Sequence, residues 1–193
     1  MRHNPDIENP MISEQVKAGF DQILVKALKD SFSSGEHVAD VSIAHGVEEF
    51  PQTDVIMFTV SSYVFRLMVM IYFSPDNETM AHFARIRGVD AQEMDQQALI
   101  DAVSENGNLC CGILSRELGK YFPHIGMSTP NKLDKRSIPY LQSMKHAHYQ
   151  DFSIGIADTE YFHVSLCVFD YDNLDFTVDI EEESTETGEL ELF

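Results

Sequence analysis

Basic side chains are scarce. Thirteen Lys and Arg stand against 32 Asp and Glu in 193 residues, a formal charge of -19. A surface of that sign repels phosphate backbones and anionic headgroups at long range, so nucleic acid and anionic membrane are not expected partners. Seven of the acids and no base fall between Asp179 and Phe193, and the remainder still carries about -12, so the body of the chain is itself acidic. Cysteine is also sparse. Cys110, Cys111 and Cys167 are odd in number, two are adjacent, and there is no Cys-x-x-Cys. That excludes a disulfide framework and a zinc or redox motif, and the three read as reduced, buried thiols. Long apolar runs are missing as well. The longest, Leu67 to Phe73, is far too short to span a bilayer, and Met1 to Asn9 is polar with no apolar h-region, which together predict a cytoplasmic protein.

A hydrophobic content of 44% with 10% aromatics is enough to build the core of one domain. Val16, Phe20, Ile23, Leu24, Ala27 and Leu28 recur at helical spacing after a capping Ser13, predicting a helix to about Ser31 that Ser33-Ser34-Gly35 ends. Val38 to Val47 reads as a strand and Glu48 to Thr53 as a break. Asp54 to Ser61 and Tyr63 to Phe73 are β-rich runs with almost no residues between them, the pattern of an antiparallel hairpin apolar on both faces. Ser74-Pro75 suits the start of a short helix ending near Gly88. A second long helix is predicted over Asp95 to Phe122, then a connector through Pro130 and Pro139. Asp151 to Ala157 and Tyr161 to Phe169, the latter alternating cleanly, predict a second hairpin turning at Asp158-Thr159-Glu160. The order repeats a helix-plus-strands unit twice with negligible identity between the copies. It predicts an α+β, two-layer domain with two long helices on an antiparallel sheet and a pseudo-twofold, spanning residues 1–178. Residues 179–193 are too acidic and polar to bury a core and read as a flexible tail.

On the second long helix Asp101, Glu105, Asn108 and Gly112 stand at i, i+4, i+7 and i+11, within roughly 60° of one another at 3.6 residues per turn. Leu99, Ala102, Val103, Leu109, Cys110, Ile113, Leu114 and Leu118 occupy the rest of the arc, so the stripe is expected to face outward, as a site for a macromolecular substrate would. Gly112 removes bulk beside Asn108, which suits close approach by a partner. Asn106-Gly107, within the same turn, is expected to loosen the helix. His146 and His148 form a His-x-His with no third ligand at a convincing spacing, and no metal site is assigned.

The pattern Asp101-x-x-x-Glu105-x-x-Asn108, with Gly112 and the later Pro130, resembles the active helix of the CheC/CheX family of chemotaxis phosphatases, and the element order resembles that fold over most of the chain. The Pro falls slightly earlier than the family spacing, and the polar run Asn131 to Arg136 departs from the family's apolar continuation. The first helix has no Glu-x-x-Asn, so the chain is most similar to the single-site CheX arrangement. That resemblance implies a homodimer, with the far face of the strand Tyr63 to Phe73 covered either by a second copy or by the connector. It also implies dephosphorylation of a CheY-like response regulator that supplies its own Mg²⁺. Asn108 would orient the attacking water, Glu105 would accept from the partner's active-site lysine, and Asp101, Gly112 and Pro130 would belong to the docking surface. The alternative is a module on the same fold that binds a regulator or signalling partner without catalysis.

Overall fold

Ser13 caps the first helix as its spacing predicts. Its Oγ accepts from the Val16 amide at 3.2 Å, and α1 runs Glu14–Phe32 in the computed structural model, which describes residues 12–33, 37–44, 50–156 and 159–178. A short strand β1 (Ala39–Ala44) precedes the hairpin of β2 (Asp54–Ser61) and β3 (Phe65–Phe73), paired from Asp54 opposite Phe73 to Ser61 opposite Arg66. The next helix, α2 (Asn77–Arg87), is capped by Asp76 and not by Ser74. The Asp76 carboxylate accepts from the Thr79 amide at 2.8 Å, where its charge also complements the positive helix end, and Gly88 closes the helix with φ +67°.

The second long helix, α3 (Gln96–Leu118), begins as expected with Asp95 accepting from the Ala98 amide at 2.8 Å. It stops before Phe122, because Gly119 caps it and the amides of Tyr121 and Phe122 both turn back onto the Leu118 carbonyl. The ring of Phe122 thereby enters the core, 5.0 Å from Phe65 and 5.1 Å from Phe176 between centroids. The connector resolves into β4 (Gly126–Met127), β5 (Asn131–Asp134) and α4 (Ile138–Gln142). The final hairpin, β6 (His148–Ile156) and β7 (Thr159–Asp170), starts three residues before the expected Asp151. Thr159 and Glu160, expected in its turn, already pair with Ile156 and Gly155. The expected strand end at 45–47 and the tail at 179–193 lie outside the described residues.

All strand pairs are antiparallel, in the order β1-β6-β7-β3-β2-β4, with β5 also on the outer edge of β2. The order is symmetric about the β7–β3 pair. Each half contributes a long helix, an outer strand and a hairpin, and the outer strand of each half lies beside the hairpin of the other, which gives the pseudo-twofold. Alternation then sorts β3: Phe65, Leu67, Val69, Ile71 and Phe73 face α1 and α3, while Met68, Met70 and Tyr72 face away.

That far face is where the connector acts. Phe50 and Ile138 close over Val55, Met68, Met70, Tyr72 and Cys167, with Leu133 and Leu141 packed alongside. Of the two covers that were open for this face, a second copy or the connector, the connector together with Phe50 is the one that packs on it. A polar cluster is embedded there. Ser165 Oγ lies 2.5 Å from Asp151 Oδ1 and accepts from the Tyr149 hydroxyl at 3.0 Å, while Gln142 of α4 donates to Tyr149 at 3.2 Å. Burial raises the Tyr72 and Tyr149 hydroxyls, the latter to about 12, so both stay protonated donors.

Candidate functional site

The stripe's position is set by a residue buried behind it. A Cβ on Gly107 would fall 2.3 Å from Cζ and 2.4 Å from Cε2 of Phe58, and 3.1 Å from Cδ1 of Ile71. Only glycine allows α3 to lie this close to β2 and β3. Gly107 therefore does not loosen the turn between Glu105 and Asn108 but seats it on the sheet. Its neighbour Asn106 is equally structural, donating through Nδ2 to the Ser31 carbonyl at 3.2 Å and satisfying one of the carbonyls left open at the end of α1. From the sequence the pair was expected to loosen the helix. The available signal was a glycine inside an otherwise strong helical pattern, which calls for a packing or functional reason.

Asp101, Glu105 and Gly112 are exposed and Asn108 is half-buried, as the outward stripe requires. A Cβ on Gly112 would meet nothing within 4 Å, so the space beside Asn108 is open. Asp101 accepts from Gln97 Nε2 at 2.9 Å along the helix. Glu105, with a side chain 64% exposed, is met by Arg87 from the last turn of α2, Nη2 to Oε2 at 3.2 Å. No sequence signal pointed to Arg87. Leu109 was expected on the buried arc but is 53% exposed, on the rim of the stripe next to Asn108. Pro130 lies between β4 and β5 along the outer edge of β2. Met127 pairs with Val60 and Asn131 with Met57, so Pro130 sits level with Phe58 and Thr59, the stretch of β2 whose Phe58 ring supports Gly107. Ser128 fixes that crossing, its amide donating to the Thr59 carbonyl at 2.9 Å and its Oγ accepting from the Thr59 amide at 3.0 Å.

Beside the first turns of α3, an open groove is lined by Asp95, Gln96, Gln97, Ile100 and Lys132. It adjoins the first residue of the stripe through Gln97, and its nearest lining residue, Ile100, lies about 12 Å along the helix from Asn108. Among the described residues no group of His, Cys, Asp and Glu is placed to hold a metal ion. The two histidines of the His-x-His part company: His146 Nδ1 contacts the Met144 carbonyl and His148 Nε2 contacts Asp21 Oδ1, each at 2.7 Å. Cys110, Cys111 and Cys167 are buried and free, and burial pushes Cys110 and Cys167 up to about 12, which leaves them unreactive thiols. No described helix is long and apolar enough to cross a membrane.

No family model and no curated protein matches the sequence. Solved structures do match. CheX from the CheX-CheY-BeF3-Mg²⁺ complex of Borrelia burgdorferi is 10% identical, with a TM-score of 0.57 over 81% of this chain and 99% of that one. A CheC-like superfamily protein from Shewanella sp. PV-4 is 12% identical, with a TM-score of 0.54 over 81% and 99%. A chain of the FliM-SpeE complex from H. pylori is 12% identical, with a TM-score of 0.52 over 81% and 89%. The α+β architecture, the seven-stranded antiparallel sheet and the agreement with these structures establish that this chain has the CheC/CheX-type fold.

Proposed function

We propose that this chain dephosphorylates a CheY-like response regulator in the cytoplasm, docking through the exposed stripe of α3. The observation that carries the reading is the pairing of exposed Glu105 with Asn108 one turn later, on a helix seated firmly by Gly107 and left open at Gly112. Hydrolysis of an aspartyl phosphate needs a water in line with the scissile bond and no nucleophile from the phosphatase. The water oxygen bonds to phosphorus, the phosphorus bond to the regulator's aspartate breaks, and the carboxylate leaves with inorganic phosphate as the other product. Asn108 can donate to and accept from that water and so hold it in line. Glu105 accepts from the regulator's active-site lysine, an ionic hydrogen bond that fixes the register of the inserted helix. Asp101, Gly112 and Pro130 contribute to the docking surface, and Leu109 adds an apolar contact at its rim. Mg²⁺ belongs to the regulator's site and neutralises charge on the phosphoryl group. The reading is supported by a CheX neighbour recorded in complex with CheY, BeF3 and Mg²⁺.

A second reading is favoured by the breadth of the fold. A chain of a FliM-SpeE complex shares it, so the scaffold is not confined to proteins described as CheX or CheC-like, and on this reading the chain binds a regulator without hydrolysing its phosphate. Decay of phosphate on the regulator separates the two: a catalyst accelerates it and loses that effect in Asn108→Ala, while a binding module leaves it unchanged.

A further inference from the structure

Glu105 is the exposed member of a pair whose other member sits on a different, well-anchored helix. α2 is pinned by Phe83, which is fully buried between Phe32 and Phe162, and Arg87 ends the same helix four residues on. The Arg87 guanidinium reaches α3 at two points, Nη1 to the Ala98 carbonyl at 3.4 Å and Nη2 to Glu105 Oε2 at 3.2 Å. A planar fork held at both ends fixes the orientation of what it holds better than a single ammonium would. Oε2 is the oxygen nearest the guanidinium. Oε1 of Glu105 accepts no hydrogen bond among the described residues, and an ionised carboxylate offers about four acceptor sites in all.

We propose that Arg87 is a positioning residue for partner docking: it holds the Glu105 carboxylate through Oε2 and so presents Oε1 to a cationic group on the regulator. A free glutamate side chain must be ordered when it docks, which opposes binding, whereas one already held by Arg87 has lost that freedom beforehand. The proposal rests on the docking reading above. It adds that α2, and not α3 alone, completes the site.

The test is a double-mutant cycle in binding. A CheY-like regulator carrying beryllium trifluoride and Mg²⁺, a stable mimic of the phosphorylated state, is titrated against wild type, Arg87→Met, Glu105→Gln and the double variant, with Arg87→Lys as the conservative replacement. Arg87→Met is expected to weaken binding roughly 2- to 10-fold, Arg87→Lys to restore part of that, and the double variant to bind no worse than Glu105→Gln alone. Additive losses, or an Arg87→Met variant that binds as well as or better than wild type, overturn the role of Arg87 while leaving the docking reading standing. Absence of wild-type binding refutes the docking reading itself, and this proposal with it. Melting curves of the same variants separate a lost contact between α2 and α3 from a lost docking contact, since a purely structural role moves the melting temperature without coupling to Glu105.

Discussion

Replacing Gly107 by alanine and Gly112 by alanine makes the same chemical change five residues apart on one helix, and the structure assigns the two changes opposite signs. Alanine in a helix interior is more favourable than glycine by about 1 kcal/mol when nothing obstructs the new methyl group. At Gly112 nothing lies within 4 Å of the added Cβ, so the whole gain should appear. At Gly107 the Cβ would overlap the end of the Phe58 ring at 2.3 and 2.4 Å and press on Ile71 at 3.1 Å. Phe58 is fully buried and cannot swing into solvent. Forcing extra volume into a packed core costs about 1–3 kcal/mol, and a clash this close belongs at the upper end, leaving a net loss near 2 kcal/mol after the helical gain. For a chain of this size 1 kcal/mol corresponds to roughly 2–4 °C in melting temperature. Thermal melting followed by circular dichroism should therefore place Gly107→Ala about 4–8 °C below wild type and Gly112→Ala about 2–4 °C above it. Gly112→Ala should also weaken docking, because its methyl group fills the open space beside Asn108. A Gly107→Ala protein as stable as Gly112→Ala would refute the reasoning, since α3 would then not rest on Phe58 and its stripe would not face where the structure puts it.

Two further perturbations probe the elements that hold α3 and α2. Asn106→Ala removes the bond to the Ser31 carbonyl that ties α3 to the end of α1; urea unfolding should show a loss of about 1 kcal/mol as a lower midpoint with an unchanged slope. A loss below a few tenths would mean water replaces the amide without cost. His82 of α2 is buried against Phe83 and Phe162, and burial, reinforced by Arg85, lowers its pKa from the ordinary 6.5 to about 4. The unfolded chain therefore takes up this proton first, so the contribution is intact above pH 6.5 and is lost as the pH falls toward 4. It amounts to about 3 kcal/mol at pH 4. Urea titrations at pH 7 and pH 4 should show wild type losing that much more than His82→Leu, and equal losses in the two proteins would contradict it.

The strands legible in the sequence are those with one environment per face. β7 alternates Phe162, Val164, Leu166 and Val168 toward the helices with smaller or polar residues behind, and the β2–β3 hairpin is bounded by a turn too short for anything else. β5 gave no such signal, because Asn131, Lys132 and Asp134 are exposed and the strand is recognisable only by its pairing with β2. Helix ends were ambiguous where two caps competed, as Ser74 and Asp76 did, and local spacing cannot say which side chain will reach an amide. The stripe from Asp101 to Gly112 could be read because helical phase is a property of one segment. What supports it could be read only in part: Gly107 on Phe58, Asn106 on Ser31 and Arg87 on Glu105 are contacts between segments distant in sequence, and although a glycine inside a helical pattern signals a close neighbour, no local pattern names the partner.

The most direct test of the central claim is the decay of phosphate on a CheY-like regulator with this protein added in catalytic amounts, as wild type and as Asn108→Ala. The account predicts faster decay with wild type and loss of that acceleration in Asn108→Ala, with binding to the beryllium-trifluoride-loaded regulator retained. Decay unchanged by wild type, with a regulator shown to bind, would contradict it and leave a docking protein on the CheC/CheX-type fold.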